Sequence, residues 1–416
     1  MTPFRPFFRN PHLATIAGNY WRRNLDAKRF PVTARLFETE PGVRVLVHSQ
    51  VPSAEPKGHA IIIHGLEGSS AAGYACSLAQ ALLEDGYAAH RFNMRSCGGT
   101  EQYSGRALYH SGQTGDVREV IRQIRAADDK PFIIIGFSLG GNVALKLAGE
   151  LGAGATDEGI AAVCAVSTPI DLAACVRQLH KPANWLYANR FLKRLKDRIR
   201  VKERLTPGLF PVHRLDHVHT IWDFDDIFTA PAFGFGTAAN YYATQSSAGF
   251  LEHIRIPALL IQAKDDPLIP FSVYDLPAFR TNPNLRLIAT ERGGHIGFIS
   301  RRKRRAQDAA ATALTTDSRA AASVVRGREM VPQDAAATAL TTDSRAAASV
   351  VRGQEMVSQN AAATAAKAQD RTPATSVGPG SGDRFWVDGV ILEWMAGVWE
   401  QAPAEIRSHP QGPLLP

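Results

Sequence analysis

The fold is indicated most clearly by residues 131–151, PFIIIGFSLGGNVALKLAGEL. The apolar run at 131–135 predicts a buried strand, and the residues from 139 onward have the spacing of a helix. Between them stands Gly-Phe-Ser-Leu-Gly at 136–140, a GxSxG motif whose glycines permit a turn sharp enough to expose the side chain of Ser138. The pentapeptide alone is a weak signal, and its strand–turn–helix setting makes it informative. This setting predicts a serine nucleophile.

A serine hydroxyl becomes nucleophilic only when a base removes its proton and a carboxylate orients that base. Both residue types follow Ser138 along the chain, each on the loop after a predicted strand. His295, flanked by glycines, is the predicted base. Asp266 is the predicted carboxylate because it directly precedes Pro-Leu-Ile-Pro where the chain leaves the strand. The neighbouring Asp265 is the alternative carboxylate, and otherwise a residue that stabilises the loop.

The negative charge that forms when a serine attacks a carbonyl needs two backbone N–H donors. Leu139, directly after the nucleophile, is predicted to supply one. The loop after the first buried strand, HGLEG at 64–68, is predicted to supply the other, and Leu66 is the candidate donor. A plain glycine-rich turn is the alternative interpretation of that loop.

Strand-like and helix-like segments alternate along most of the chain, which is typical of an α/β fold with a mostly parallel sheet. An antiparallel edge region is predicted at 43–51, and the stretch before it is extended. A cap over the carboxyl edge of the sheet is predicted at about 172–250. The predicted buried strands are 60–64, 87–92, 131–135, 160–167, 258–262 and 285–289, and the predicted helices are 74–84, 116–127 with Thr114 as N-cap, 139–151 and 386–399.

Length and composition fit a globular enzyme. The chain has 416 residues, of which 45% are hydrophobic and 21% charged, so it can bury a full core. Its net charge of +8 is concentrated at 190–204 and in RRKRR at 301–305. Since the excess is local, we expect no nucleic-acid partner.

The cysteines and the apolar runs exclude several other classes. Cys76, Cys97, Cys164 and Cys175 are far apart and form no cluster with histidine, so we expect neither a metal site nor a disulfide framework. No motif for a nucleotide or other cofactor is present, and none is expected. Neither a signal peptide nor a run of eighteen apolar residues can be identified, so the cytoplasm is the predicted compartment.

A 26-residue repeat interrupts the pattern. Residues 308–333 and 334–359 differ only at Arg328 versus Gln354 and at Pro332 versus Ser358. The unit has too few large apolar residues to stack as a solenoid, so residues 306–383 are predicted to be an inserted segment, disordered or partly helical. The predicted catalytic core is then 1–305, with its closing helix and a tail at 384–416.

With these motifs in place, the chain resembles the YheT-type branch of the α/β-hydrolases. The resemblance covers about residues 4–300 and resumes near 384–400. Ser96 stands where the family usually has glycine, and Ala14 where it usually has glutamine. The residues that carry the resemblance are 4–6 (FRP), 9–15 (RNPHLAT), 93–100 (NMRSCGGT), 222–225 (WDFD), 229–231 (TAP), Gly234, 241–242 (YY) and 293–298 (GGHIGF).

The resemblance implies hydrolysis of carboxylic esters of short to medium acyl chains, with acylglycerols among the candidate substrates, through an acyl-enzyme on Ser138. A thioesterase or acyltransferase would use the same triad, so both remain alternatives, as does a non-catalytic binding protein of the same fold. The basic stretch 190–204 is either a solvated cap helix or a peripheral membrane contact. Apolar side chains of the cap either hold an acyl chain or pack the cap: Trp185, Leu186, Phe191, Phe224, Phe228, Phe233, Phe235, Tyr241 and Tyr242.

Overall fold

Eight strands form one twisted sheet at the centre of the molecule. We describe a computed structural model, which covers residues 3–301, except 22, 24, 106 and 107, and residues 385–401. The sheet order is β1-β2-β4-β3-β5-β6-β7-β8, with only β1, β2 and β4 paired antiparallel to one another. The strands are β1 (Thr33–Glu40), β2 (Val43–Gln50), β3 (His59–Ile63), β4 (Ala88–Phe92), β5 (Phe132–Phe137), β6 (Ile160–Val166), β7 (Ala258–Ala263) and β8 (Leu285–Thr290).

The predicted α/β class with a mostly parallel sheet is confirmed, and one detail of the prediction is wrong. The region at 43–51 is antiparallel, but it is not the edge, because β2 lies between β1 and β4. The edge is β1, where Phe37 is the only fully buried side chain. A strand with so little buried surface has no clear apolar alternation, so the sequence indicated only an extended stretch there.

Helices cover both faces of the sheet, which is why the central strands are continuously apolar. Ile61 and Ile63 of β3 pack into one core with α3 and α4, whereas Ala60 and Ile62 face the opposite core with α2 and α11. The predicted N-cap, Thr114, precedes α3, but its side chain accepts no hydrogen bond from the helix. The bounds of these four helices and of the N-terminal helix are α1 (Pro11–Tyr20), α2 (Gly73–Glu84), α3 (Gly115–Arg125), α4 (Leu139–Leu151) and α11 (Trp386–Gln401).

Between β6 and β7 the chain forms five further helices. They are α5 (Leu172–Leu179), α6 (Trp185–Leu205), α7 (Ile221–Phe224), α8 (Ala230–Ala232) and α9 (Ala238–Gln245), and a short α10 (Ala278–Thr281) follows β7. The long α6 buries Leu192, Leu195 and Ile199 in the same core as α3 and α4. This region includes the predicted cap at about 172–250.

The chain leaves the described region and returns to it at neighbouring positions. Ile299 forms an isolated antiparallel bridge with Phe385, just before α11. The residues described before and after this gap belong to one compact unit. The predicted insertion at 306–383 lies outside the described residues, as does the tail after 401. In the described part, no helix combines the length and apolarity needed to cross a membrane.

Candidate active site

The turn from β5 into α4 holds Ser138 in a strained conformation. Its φ and ψ are 53° and −122°, a backbone conformation that residues other than glycine rarely adopt. A Cβ at Gly136 would collide with the backbone of Gly140, and one at Gly140 would collide with the end of β3. The glycines of the motif are therefore required by close backbone packing, and the turn projects Ser138 from the carboxyl end of the sheet.

The three side chains predicted from the sequence are brought together. His295 Nε2 lies 3.0 Å from Ser138 Oγ, and His295 Nδ1 lies 2.9 Å from Asp266 Oδ2. The Asp266 side chain is fully buried, and its Oδ1 accepts hydrogen bonds from the N–H groups of Leu268 and Ile269 at 2.8 and 3.1 Å. These bonds fix the carboxylate with one oxygen directed at the imidazole. The arrangement has the geometry of a nucleophile, a base and an orienting acid.

Asp265 has a different position from its neighbour. Its Oδ1 accepts a hydrogen bond from the Gly294 N–H at 2.9 Å, so it ties the β7 loop to the loop that carries His295. Partial burial raises the pKa of this carboxyl group. On the other side, Thr15 Oγ1 of α1 accepts a bond from the His295 N–H at 2.9 Å. The histidine loop is thus held from two directions.

The loop at 64–68 passes directly beside the nucleophile. A Cβ on Gly65 would lie 3.0 Å from the Cβ of Ser138, so a larger residue at position 65 would require the turn at Ser138 to shift by a few tenths of an ångström. No acceptor in the described residues takes the N–H of Leu66 or of Leu139. His64 anchors the loop: its Nδ1 contacts Gly65 O at 2.7 Å, its Nε2 lies 3.2 Å from Met94 N, and burial lowers its pKa to about 4.

Glu67 is a site residue whose role the sequence left undecided. It has a φ of 54°, and its carboxylate is buried. Arg198 of α6 donates to both carboxylate oxygens at 3.0 and 2.8 Å, Tyr109 donates to Oε1 at 2.8 Å, and Arg194 donates to the Glu67 carbonyl at 2.9 Å. These bonds join the loop beside Ser138 to the cap. No local pattern could have indicated them, because Glu67 and Arg198 are 131 residues apart.

Two cavities meet at Ser138, and both also contact His295 and Leu66. The first lies under the cap and contains about 930 Å³ of space not filled by atoms, part of it open to solvent. Its lining is mainly apolar. Of the nine cap side chains singled out from the sequence, those that line it are Phe191, Phe224, Tyr241 and Tyr242.

The second cavity lies on the other side of Ser138 and contains about 850 Å³. It is lined by α1, by the loop at 65–68 and by the first half of α6, including Tyr20 and Arg190. Both of these side chains are exposed, so this cavity opens to the surface. Ser138 therefore stands between two cavities, one under the cap and one that reaches the surface beside α1.

One carboxylate lines the apolar cavity. Asp225 begins a π-helical turn at Asp225–Thr229, and its oxygens accept hydrogen bonds from Tyr242 at 2.5 Å and from Thr229 at 2.7 Å. Burial raises the pKa of this carboxyl group to about 6. Each of its two oxygens thus has a hydrogen-bond partner within the protein, and the cavity lining remains mainly apolar. In the described part of the chain, no group of three or more histidine, cysteine, aspartate or glutamate side chains is placed to hold a metal ion.

Comparison with known proteins agrees with this geometry. A family model described as the alpha/beta hydrolase fold matches residues 59–301, more than half of the chain. The chain belongs to the α/β-hydrolase family. Within it, this α/β-hydrolase is 34% identical over 296 residues to "Putative esterase YheT" of Escherichia coli, which covers 70% of the chain and 85% of that protein. The resemblance to the YheT-type branch is confirmed.

More distant relatives of this α/β-hydrolase are eukaryotic. Phospholipase ABHD3 of mouse is 29% identical over 241 residues, which are 58% of each chain. The monoacylglycerol lipase of Saccharomyces cerevisiae is 27% identical over 306 residues, 68% of this chain and 65% of that one. Among solved structures, the Pyrococcus furiosus esterase Pf2001 has a TM-score of 0.43 and 18% identity, over 73% of this chain and 97% of that one.

Proposed function

We propose that this α/β-hydrolase cleaves carboxylic esters through an acyl-enzyme formed on Ser138. The observation that carries the proposal is the chain of contacts from Ser138 Oγ to His295 Nε2, and from His295 Nδ1 to Asp266 Oδ2. A serine so placed can attack an acyl carbon at neutral pH. The relatives named above, an esterase, a phospholipase and a monoacylglycerol lipase, support ester substrates.

In the first half-reaction, His295 Nε2 takes the proton of Ser138 as its Oγ bonds to the ester carbonyl carbon. Asp266 stabilises the imidazolium that results. The carbonyl oxygen becomes an oxyanion, to which the N–H groups of Leu66 and Leu139 donate. When the tetrahedral intermediate collapses, the bond from carbon to the alcohol oxygen breaks, and the alcohol leaves with the proton from His295.

The second half-reaction reverses these roles for water. His295 removes a proton from a water molecule, whose oxygen attacks the acyl carbon. The bond to Ser138 Oγ breaks, the serine regains its proton from the imidazolium, and the carboxylic acid is released. All atoms of the ester and of one water molecule are then accounted for in the acid and the alcohol.

The two cavities suit the two parts of an ester. The acyl chain belongs in the apolar cavity under the cap, where Phe191 and Phe224 supply apolar surface. The alcohol part belongs in the second cavity, which opens to the surface beside Arg190 and can accept groups of varied size. This assignment favours short to medium acyl chains, with acylglycerols as candidate substrates.

The proposal is tested with p-nitrophenyl esters from acetate to palmitate. Turnover should peak at short or medium chains, and Ser138→Ala should lower kcat by more than about 1,000-fold. Ser272→Ala, at an exposed serine outside both cavities, is the matched control and should leave turnover unchanged. Turnover that persists in Ser138→Ala would contradict the assigned nucleophile. Folded protein that acts on thioesters, or only when an alcohol acceptor is present, would point to the thioesterase or acyltransferase alternative.

The choice between the two aspartates is tested with the same assay. Asp266→Asn should lower kcat by about 10³- to 10⁴-fold, because an asparagine favours the wrong imidazole tautomer. Asp265→Asn removes the charge but keeps an amide oxygen that can accept from the Gly294 N–H, so the loss should stay within about ten-fold. Equal losses would contradict the assignment of Asp266.

A further inference from the structure

Exposed apolar side chains are concentrated at one place on the described surface. Nine large apolar side chains of the described residues are exposed in all, and five of these lie on α1 or in the first turn of α6. Their exposed fractions run from 43% to 69%. We call these five residues the apolar collar: Leu13, Ile16, Tyr20, Trp185 and Leu186.

The two helices that carry the apolar collar contact each other directly. Arg190 of α6 donates a hydrogen bond to the Tyr20 hydroxyl of α1 at 2.9 Å, and its guanidinium lies over the Tyr20 ring. The His12 and Tyr187 rings are stacked, with Nδ1 and the hydroxyl 3.2 Å apart. The five residues of the apolar collar are therefore carried by two helices that are in direct contact.

The opposite side of α1 explains why its apolar residues face outward. Ala14, Thr15 and Gly18 are buried against the loop that carries His295, and a Cβ on Gly18 would lie 2.8 Å from the Gly297 Cα. The small residues thus face the core, while Leu13, Ile16 and Tyr20, spaced along the other side of the helix, face outward. Nothing in core packing requires large apolar residues at these exposed positions.

The charge around the apolar collar has one sign. Residues 3–20 and 181–194 contain six arginines and lysines and no aspartate or glutamate. Lys181, Arg190, Lys193 and Arg194 are all exposed. Apolar and aromatic side chains among cations of one sign are typical of helices that lie in the interface of a membrane.

Two collar residues also line the second cavity. Ile16 and Tyr20 line it together with Arg190, Ser138 and His295. A surface on which the collar rests would therefore face the route to the nucleophile.

We propose that the apolar collar and its basic neighbours dock the protein on a lipid bilayer that contains anionic headgroups. The collar side chains enter the interfacial layer, and the four exposed cations of 181–194 pair with lipid phosphates. Charge complementarity favours this occupant, because a second copy of the same chain would bring like charges together. Docking in this way places the open cavity against the layer from which a lipid ester would enter.

The experiment is co-sedimentation of the full chain with lipid vesicles. Ser138→Ala protein is used so that no lipid is consumed, and the vesicles are pure phosphatidylcholine or contain about 30 mol% phosphatidylglycerol. We expect binding to the anionic vesicles that weakens in high salt. The double variant Trp185→Ser/Leu186→Ser should bind at least about ten-fold more weakly, because it removes two collar side chains. The matched control is Val32→Ser/Val51→Ser, exposed apolar residues outside the collar, which should bind as the parent does.

Two further variants complete the test. Lys181→Glu/Lys193→Glu should also weaken binding to anionic vesicles, with little change on neutral ones. Trp185→Ser/Leu186→Ser made in the active chain should hydrolyse a soluble p-nitrophenyl ester within about two-fold of the parent, because neither residue lines the second or the apolar cavity. The proposal is overturned by absence of vesicle binding, or by equal binding of the collar variant and the parent. Failure of the proposed hydrolysis would instead leave vesicle binding intact while soluble esters stayed uncleaved.

Discussion

Glu67 holds the backbone beside the nucleophile through a buried ion pair with Arg198. Removing one partner of such a pair leaves the other charge unpaired in the interior. We expect Glu67→Gln to lower the free energy of unfolding by about 3 kcal/mol. We also expect it to lower kcat by about ten-fold with a smaller change in KM, because in the proposed mechanism the Leu66 N–H donates to the oxyanion of the transition state. Urea unfolding and steady-state kinetics on p-nitrophenyl butyrate measure the two effects.

The control for this variant is Glu40→Gln. Glu40 pairs with Arg95, but its side chain is 52% exposed and lies outside both cavities. Its loss should cost well under 1 kcal/mol, roughly the worth of an exposed ion pair, and leave kcat unchanged. If the two variants behaved alike, Glu67 would have no positioning role.

The sequence was sufficient to place residues that follow strands, and insufficient for those that meet across the fold. Ser138, Asp266 and His295 each lie on a loop after a buried strand, and the carboxyl ends of parallel strands meet at one edge of the sheet. Glu67 and Arg198 share no local pattern. Ser96, where relatives usually have glycine, has a φ of 58°, so the departure from the family coincides with a left-handed backbone position.

Among the elements, the turn between β5 and α4 depends on the absence of side chains. A Cβ on Gly141 would collide with Thr168 Oγ1 of the loop after β6, whereas a Cβ on Gly115 of α3 would meet nothing within 4 Å. We expect Gly141→Ala to lower the free energy of unfolding by about 1–3 kcal/mol through overpacking. Gly115→Ala, the matched helical control, should raise it by roughly 0.5 kcal/mol through helix propensity. Stabilisation by both substitutions, measured by urea unfolding, would contradict the steric argument.

Elements were predictable where burial was complete. Strands β3 to β7 are buried on both faces, and β3, β5, β6 and β7 show this in the sequence as nearly continuous apolar runs. Strand β4 is also fully buried, but it contains His90 and Arg91. Strand β1 is mostly exposed, and α1 has Asn10 as its N-cap and Pro11 as its first residue, both of which interrupt an apolar pattern. Asn10 in fact caps α1 by accepting bonds from His12 N and Leu13 N, so the interruption marks a helix start.

For the whole molecule, buried histidines set the dependence of stability on pH. Burial lowers the pKa of His64 from 6.5 to about 4, and those of His90 and His110 to about 3. The unfolded chain therefore binds more protons than the folded one below pH 6.5, and stability falls as the pH decreases. Asp225 and Asp388 act in the opposite sense, since burial raises their pKa values to about 6.

Three buried histidines oppose two buried aspartates, so the free energy of unfolding should fall overall as the pH decreases. We expect the free energy of unfolding to fall by about 5 kcal/mol between pH 6.5 and pH 4, measured by urea titrations across that range. His110→Leu should reduce the slope by about one bound proton, because it removes one of the three groups. A flat profile over this range would show that the buried histidines are not neutral in the folded protein.

The bridge between Ile299 and Phe385 brings together the two points at which the chain leaves and re-enters the described fold. A short linker can span that gap. We expect deletion of residues 306–383, with the ends joined by a few glycines and serines, to leave ester hydrolysis within about two-fold of the full chain, since loop length is weakly coupled to stability. Loss of activity in a folded deletion variant would show that the repeat contributes to function.

Helix α6 is fastened to the core along its length. Arg198 holds Glu67, and one turn later the buried Lys202 donates to the carbonyl oxygens of Glu101 and Gly105 at 2.9 Å each. Moving this helix away from the core would leave the charges of Glu67 and Lys202 without their present partners. These contacts indicate that this part of α6 stays in place over the core and does not open as a hinged lid. In the proposed reaction an ester therefore has to fit the two cavities that meet at Ser138 as they stand, without a large displacement of α6 to enlarge them.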